Sequence, residues 1–83
     1  MPALVSRAML DALVDPKFQA ELPPGVRKQI KSSVAAAGKG DYGEITLGSN
    51  AKTVREAAHR LKEKRVPAKL AKVLPELERL PGY

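Results

Sequence analysis

The ten residues from Lys39 to Gly48 read KGDYGEITLG, and the fold class depends on how this stretch is interpreted. Its glycines at positions 40, 43 and 48 disfavour a long helix. Residues 44–47, EITL, fit either one helical turn or a short strand, because a short run of this kind carries no decisive period. We expect a glycine-rich turn over 39–48, with helices on both sides of it.

The N-terminal side of this turn begins with a helical pattern over residues 3–14, ALVSRAMLDALV. Apolar residues recur there at helical spacing and define one broad buried face: Leu4, Val5, Ala8, Met9, Ala12 and Leu13. Asp15 followed by Pro16 is typical of an N-cap and a first helical residue, which predicts a second, short helix through Leu22.

A third helix is predicted after the break at Pro23, Pro24 and Gly25. An apolar stripe follows the break and ends at Gly38, a residue type suited to the left-handed conformation just past a helix. The stripe consists of Val26, Ile30, Val34 and Ala37.

The C-terminal side of the turn contains the most regular helical pattern of the chain. Ser49 and Asn50 are good N-cap residues. The apolar positions that follow, Val54, Ala57, Ala58 and Leu61, are spaced i, i+3, i+4 and i+7. We expect this helix to end near Lys64, Pro67 to open another helix, and Pro75 to force a kink or a fresh start.

Together these patterns predict an all-α fold, a small bundle of four to five short helices in one domain over 1–83. Its parts are N-terminal helices over 1–38, the turn over 39–48 and basic helices over 49–83. A chain of this length buries too little surface for two cores. The predicted core is Leu4, Met9, Leu13, Val26, Ile30, Val34, Val54, Ala57, Leu61, Leu70, Val73 and Leu77.

Composition excludes several classes of function. The chain has no cysteine and a single histidine, so it has neither a disulfide framework nor the ligands of a structural zinc site. We find no pairing of nucleophile and base and no Walker-type phosphate loop, and we therefore predict a protein that is not an enzyme and holds no cofactor or metal. No apolar run approaches the length of a membrane span, which favours a cytoplasmic protein.

The net charge of the chain is concentrated in one segment, residues 52–72. Eight positive side chains lie there against Glu56 and Glu63, which leaves +6, the net charge of the whole chain. Concentrated positive charge attracts a partner with dense negative charge. Nucleic acid is the commonest such partner, because each phosphate neutralised by Lys or Arg releases counterions.

Residues 47–57, LGSNAKTVREA, fit the second half of a helix-turn-helix unit. Gly48 would lie in the turn, while Val54 and Ala57 would pack inward. The helix from Asn50 would then enter the major groove of double-stranded DNA. The residues expected at or near the groove are Ser49, Asn50, Lys52, Thr53, Arg55 and His59, and those expected on phosphates are Arg60, Lys62, Lys64, Arg65 and Lys69.

The same region resembles the DNA-binding part of the plasmid repressors KorA and TrfB, over about residues 47 to 76. The matching residues are Leu47-Gly48, Val54, Ala57, His59-Arg60-Leu61, Lys64, Pro67, Ala71, Lys72-Val73 and Leu74-Pro75-Glu76. The resemblance implies a helical, homodimeric transcriptional repressor that reads a palindromic operator with the helix that starts near Asn50. We therefore predict a sequence-specific DNA-binding regulator.

Two alternatives remain open. In a ribbon-helix-helix dimer, residues 44–47 would be a strand paired with its copy, with Glu44 and Thr46 on one face and Ile45 and Leu47 on the other. In the other alternative, the chain is a small phage- or plasmid-encoded protein that binds and inhibits a host protein partner through apolar helix faces.

Overall fold

Two strands and a series of mostly short helices form the part of the chain that the computed structural model describes, residues 2–82. In chain order the elements are β1 (Pro2–Ser6), α1 (Arg7–Leu13), α2 (Pro16–Gln19), α3 (Pro24–Ala36), β2 (Tyr42–Thr46), α4 (Asn50–Lys62), α5 (Ala68–Ala71) and α6 (Leu74–Leu77). The fold is therefore mixed α/β, and the prediction of an all-α bundle is wrong.

The strands β1 and β2 form one antiparallel sheet, in which Leu4 lies opposite Glu44 and Val5 opposite Gly43. Successive side chains of a strand point to opposite faces. Val5 and Ile45 accordingly lie on the buried face, whereas Leu4 and Glu44 face solvent. The sheet brings together two segments that the sequence patterns assigned to a helix and a turn.

Ser6 explains why the observed helix α1 is shorter than the helix predicted over 3–14. Its hydroxyl accepts a hydrogen bond from the Met9 backbone N–H at 3.3 Å, so it is the N-cap of α1. Residues before this cap are free to pair with β2. Leu4 and Val5 fitted a helical stripe by spacing, but only Val5 is buried.

In the stretch over 39–48, Gly43 lets β2 pack closely against Ala37 and Leu10. A Cβ atom at this position would lie 2.8 Å from the Cβ of Ala37 and 3.0 Å from Leu10 Cδ1, so only glycine fits there without displacement. The prediction of a turn over the whole stretch is wrong, and the turn is limited to the residues around the strand.

The same strand overturns the helix-turn-helix prediction, because the unit requires a helix before Gly48 and the chain has β2 there. The ribbon-helix-helix alternative assigned Glu44, Ile45 and Thr46 to the correct faces. Its pairing is wrong, however, since β2 pairs with β1 of the same chain.

Predicted helix boundaries are confirmed where a local signal marks them, but α2 ends at Gln19 and not at Leu22. The Asp15 carboxylate accepts a hydrogen bond from Lys17 N–H at 2.8 Å, which caps α2. Gly38 follows α3 with a φ of 87°, in the left-handed region. The helix α4 begins at Asn50, and a new helix, α6, begins at Leu74 with Pro75 in its first turn.

Arg7 connects the first helix to the loop before β2. Its backbone N–H donates to the Asp41 carbonyl at 2.7 Å. Its guanidinium donates to the carbonyls of Gly40 and Gly38, at 2.9 and 2.7 Å. These bonds fix the direction in which the chain enters β2.

A single hydrophobic cluster contains residues from every helix and both strands. Its largest fully buried members include Phe18, Leu10 and Ile30, together with Leu74 and Leu77 of α6. Among the predicted core residues, the prediction is wrong for Leu4, which is 73% exposed. Val26 is partly buried and packs against the edge of the cluster. No helix among residues 2–82 has the length and apolar character to cross a bilayer.

Candidate nucleic-acid interface

The helix α4 carries most of the residues predicted to contact DNA, and its packing determines which of them are available. Its buried residues form one stripe, Ala51, Val54, Ala57, Ala58 and Leu61. At 100° per residue, the polar residues then divide into a flank against α6, a flank against α2 and α3, and an outer ridge.

Arg55 lies on the flank that faces α6, where its guanidinium is bound within the chain. Its Nη1 donates to the carbonyls of Leu80 and Gly82, at 2.8 and 2.9 Å. The side chain therefore fastens the C-terminal segment to α4. The sequence predicted that Arg55 contacts a DNA base, whereas in the structure its guanidinium donates to these two backbone carbonyls.

Glu78 binds the other two polar side chains of this flank, His59 and Lys62. Its carboxylate lies 3.0 Å from His59 Nδ1 and 3.1 Å from Lys62 Nζ. Desolvation raises the pKa of Glu78, but the hydrogen bonds from Lys62 and His59 outweigh that effect, and the pKa lies below its ordinary value. The His59 ring itself is 70% exposed.

Glu21, which follows α2, likewise binds two basic side chains on the opposite flank of α4. Its carboxylate accepts hydrogen bonds from Lys64 Nζ at 2.8 Å and from Arg60 Nε at 3.2 Å. Arg60 also donates to the Glu21 carbonyl at 2.9 Å. The hydrogen bonds from Lys64 and then Arg60 lower the pKa of Glu21, so the carboxylate stays charged near neutral pH.

The N-terminal end of α4 has a mixed environment. Asn50 Nδ2 donates to Gln29 Oε1 of α3 at 2.6 Å, which uses the group that would pair with adenine. Thr53 is partly buried, whereas Ser49 and Lys52 are exposed. This end therefore presents fewer side chains to a partner than the sequence predicted.

An open groove of about 570 Å³ runs along the outer ridge of α4 and past α6, and its charge is mixed. Lys52, Arg55 and Arg60 line it, but Glu56 and Glu78 line it too. Carboxylates at these positions would face the phosphates of any nucleic acid in the groove. This ridge is poorly suited to a polyanion.

The positive charge is less compensated where α4 ends and the chain turns toward α5. A groove of about 310 Å³ there is lined by Lys62, Lys64 and Arg65 with apolar residues and no carboxylate. An adjoining groove of about 210 Å³ adds Lys17 of α2 and contains Glu21. We call Lys17, Lys62, Lys64 and Arg65 the basic corner.

The basic corner has physical features that suit phosphate groups. Lys62 and Lys64 keep side-chain exposures of 45% and 58% despite their ion pairs. Arg65 is exposed and has no ion-pair partner among residues 2–82. Lys62 and Lys64 can exchange their carboxylate partners for an external phosphate at small cost, since ion pairs between exposed side chains contribute little to stability.

Sequence reasoning identified three of the four residues of this corner, and the structure separates them from the rest of the predicted site. Lys69 lies elsewhere, in a crevice of about 170 Å³ whose lining includes Asp11 and Asp15. Lys17 was missed, because it is a lone lysine far from the basic segment and only the packing of α2 beside α4 brings it to the corner.

Known proteins add nothing to this description of the site. No protein-family model matches the chain, and the searches of curated proteins and of solved structures each end without a match. The likeness to the KorA and TrfB repressors therefore stays a prediction from the residues of 47–76.

Proposed function

We propose that this protein is a non-catalytic regulator that binds double-stranded DNA as a homodimer, with the basic corner on the phosphate backbone. The single observation that carries the proposal is the position of the excess charge. Lys62, Lys64 and Arg65 line a groove whose lining has no carboxylate, in the middle of the segment that holds the net +6. Phosphate contacts of this kind supply affinity that does not depend on base sequence.

The contacts of α4 support phosphate binding more than base reading. Asn50 and Arg55, the residue types best suited to pair with adenine and guanine, both make hydrogen bonds inside the chain. Only Ser49 and Lys52 remain exposed at the end of the helix that was expected in the groove. We therefore expect the corner to provide most of the affinity.

The test is the salt dependence of binding to a labelled DNA duplex, measured by fluorescence anisotropy. For the native chain, log K should fall linearly with log salt. Arg65→Ala and Lys17→Ala should each weaken binding and lower the slope by about 0.9, because each removes one phosphate contact.

Lys39→Ala is the matched control, since it removes one exposed positive charge from the loop that Arg7 holds, outside the corner. It should leave the slope nearly unchanged. Equal effects of Lys39→Ala and Arg65→Ala would mean that only the net charge matters, and the assignment of the corner would be wrong. Absence of salt-dependent binding by the native chain would overturn the proposed function.

A further inference from the structure

The outer edge of β1 has backbone groups that β2 does not use. The Arg7 N–H donates to the Asp41 carbonyl, and this pair continues the register of the sheet. Because hydrogen-bonded and non-hydrogen-bonded pairs alternate in an antiparallel ladder, Val5 bonds to Gly43 and the intervening Leu4 points its N–H and C=O away from β2. The same alternation turns the Ser6 N–H outward, whereas the carbonyl of this N-cap residue belongs to the first turn of α1.

Within residues 2–82 the sheet has only the strands β1 and β2, and the exposure of Leu4 agrees with an uncovered outer edge of β1. The residue is 73% exposed, whereas its neighbour Val5 is 3% exposed. Its apolar side chain stands on the solvent face of the sheet, where Tyr42 is also exposed, at 67%. An open edge with unpaired backbone groups beside exposed apolar side chains is a template for another strand.

The charges of the two strands indicate which edge can pair with its own copy. Residues Pro2–Ser6 carry no charged side chain, so a symmetric pairing of β1 would place no like charges opposite each other. A symmetric pairing of β2 would bring Glu44 close to Glu44 of the second copy, and like charges on paired strands are destabilising.

We propose that β1 pairs antiparallel with β1 of a second copy about a two-fold axis at Leu4, which joins the two sheets into one of four strands. Leu4 N–H then donates to the Leu4 carbonyl of the second copy, and the reverse bond forms by symmetry. Ser6 N–H donates to the Pro2 carbonyl of the second copy. Pro2, which has no N–H, occupies a position where only its carbonyl is needed.

This interface specifies the homodimer of the proposed function but does not depend on DNA binding. An interface through a five-residue edge buries less surface than the roughly 800 Å² per partner of a standard protein–protein interface. We therefore expect a dimer that dissociates on dilution, with a dissociation constant on the order of micromolar.

The first experiment uses the absence of cysteine from the native chain. In the proposed sheet the two Leu4 Cα atoms lie about 5.5 Å apart, within the range of a disulfide. Under mild oxidation Leu4→Cys should form a covalent dimer readily. Thr46→Cys, at a position on β2 that is also exposed, should do so roughly ten-fold more slowly at the same concentration.

The second experiment measures mass by sedimentation over a range of concentrations, without DNA. The native chain should show a monomer–dimer equilibrium, and Leu4→Lys should shift it to monomer by placing two ammonium groups side by side. Thr46→Lys adds the same charge on β2 and should leave the equilibrium unchanged. Circular dichroism checks that both variants fold.

Three results would overturn the proposal. The first is a native chain that stays monomeric at about 0.5 mM, which is well above the expected dissociation constant. The second is a Leu4→Lys variant that still dimerises. The third is equal crosslinking of the two cysteine variants. A native monomer whose β1 is occupied by a strand of another protein would also exclude a second copy. A native chain that stays monomeric would also remove the homodimer from the proposed function. It would not affect DNA binding, which the anisotropy test measures separately, so the two failures are distinguishable.

Discussion

Glu21 and Glu78 each draw two side chains of the basic segment into the fold. Glu21 holds Arg60 and Lys64, and Glu78 holds His59 and Lys62. Both carboxylates lie outside the segment, and each is at least 16 residues from the side chains that it binds. Residue counts therefore identified the charged segment correctly but could not show which of its side chains are engaged.

The Glu21 ion pairs should make stability depend on pH. The folded state lowers the pKa of Glu21 below its ordinary value of 4.5, so the stabilisation is complete above about pH 4.5 and is lost as the pH falls through the lower, folded value. Glu21→Gln should destabilise the protein at pH 7 by about 0.2–1 kcal/mol per lost pair. It should also reduce the loss of stability between pH 7 and pH 3, measured by urea denaturation.

Glu63→Gln is the control for this prediction. Glu63 is exposed near the end of α4 and makes no ion pair within the described part of the chain. Its replacement should not lower stability at pH 7. If both variants lose stability equally, the contacts of Glu21 do not contribute to folding.

At the scale of the elements, β2 depends on a glycine that lets it approach α3 and α1. Gly43→Ala would place its Cβ 2.8 Å from the Cβ of Ala37, and overpacking of this kind costs about 1–3 kcal/mol. We expect a lower midpoint of chemical denaturation. Gly25→Ala is the matched control, because no atom lies within 4 Å of the added Cβ, and it should be neutral or slightly stabilising.

Equal destabilisation by the two glycine variants would mean that the strand can shift away from Ala37. The effect at Gly43 would then reflect the loss of glycine and not the close approach of the strand.

The sequence predicted those elements whose boundaries are marked locally. Gly38 ends α3 and Asp15 caps α2 by contacts with residues nearby in sequence. In contrast, β1 exists because Val5 meets Gly43, and no pattern within residues 2–6 contains that information. The contacts of Arg55 were not predicted for the same reason, since its acceptors are the carbonyls of Leu80 and Gly82.

At the scale of the whole molecule, one core holds every element, so unfolding should be a single transition. Phe18 is fully buried in this core. Replacing a buried Phe by Ala costs about 3–5 kcal/mol, a large part of the roughly 5–15 kcal/mol that holds a domain folded. Phe18→Ala should therefore leave much of the protein unfolded at 37 °C, with loss of far-ultraviolet circular dichroism.

Tyr42→Ala provides the comparison, because it removes an aromatic ring that is 67% exposed. Its stability should change by less than about 0.5 kcal/mol. For the native chain, tyrosine fluorescence and circular dichroism should report the same midpoint. Separate midpoints would show that the sheet and the helices unfold independently.

The pairing of β1 with β2 also has a consequence for synthesis on the ribosome. The strand β1 leaves the exit tunnel before its partner, residues 42–46, which follows only after three helices have been translated. Until then Leu4 and Val5 belong to an apolar segment without a place in the fold. Because such distant contacts slow folding, the nascent chain is most exposed to chaperones and to aggregation in this interval.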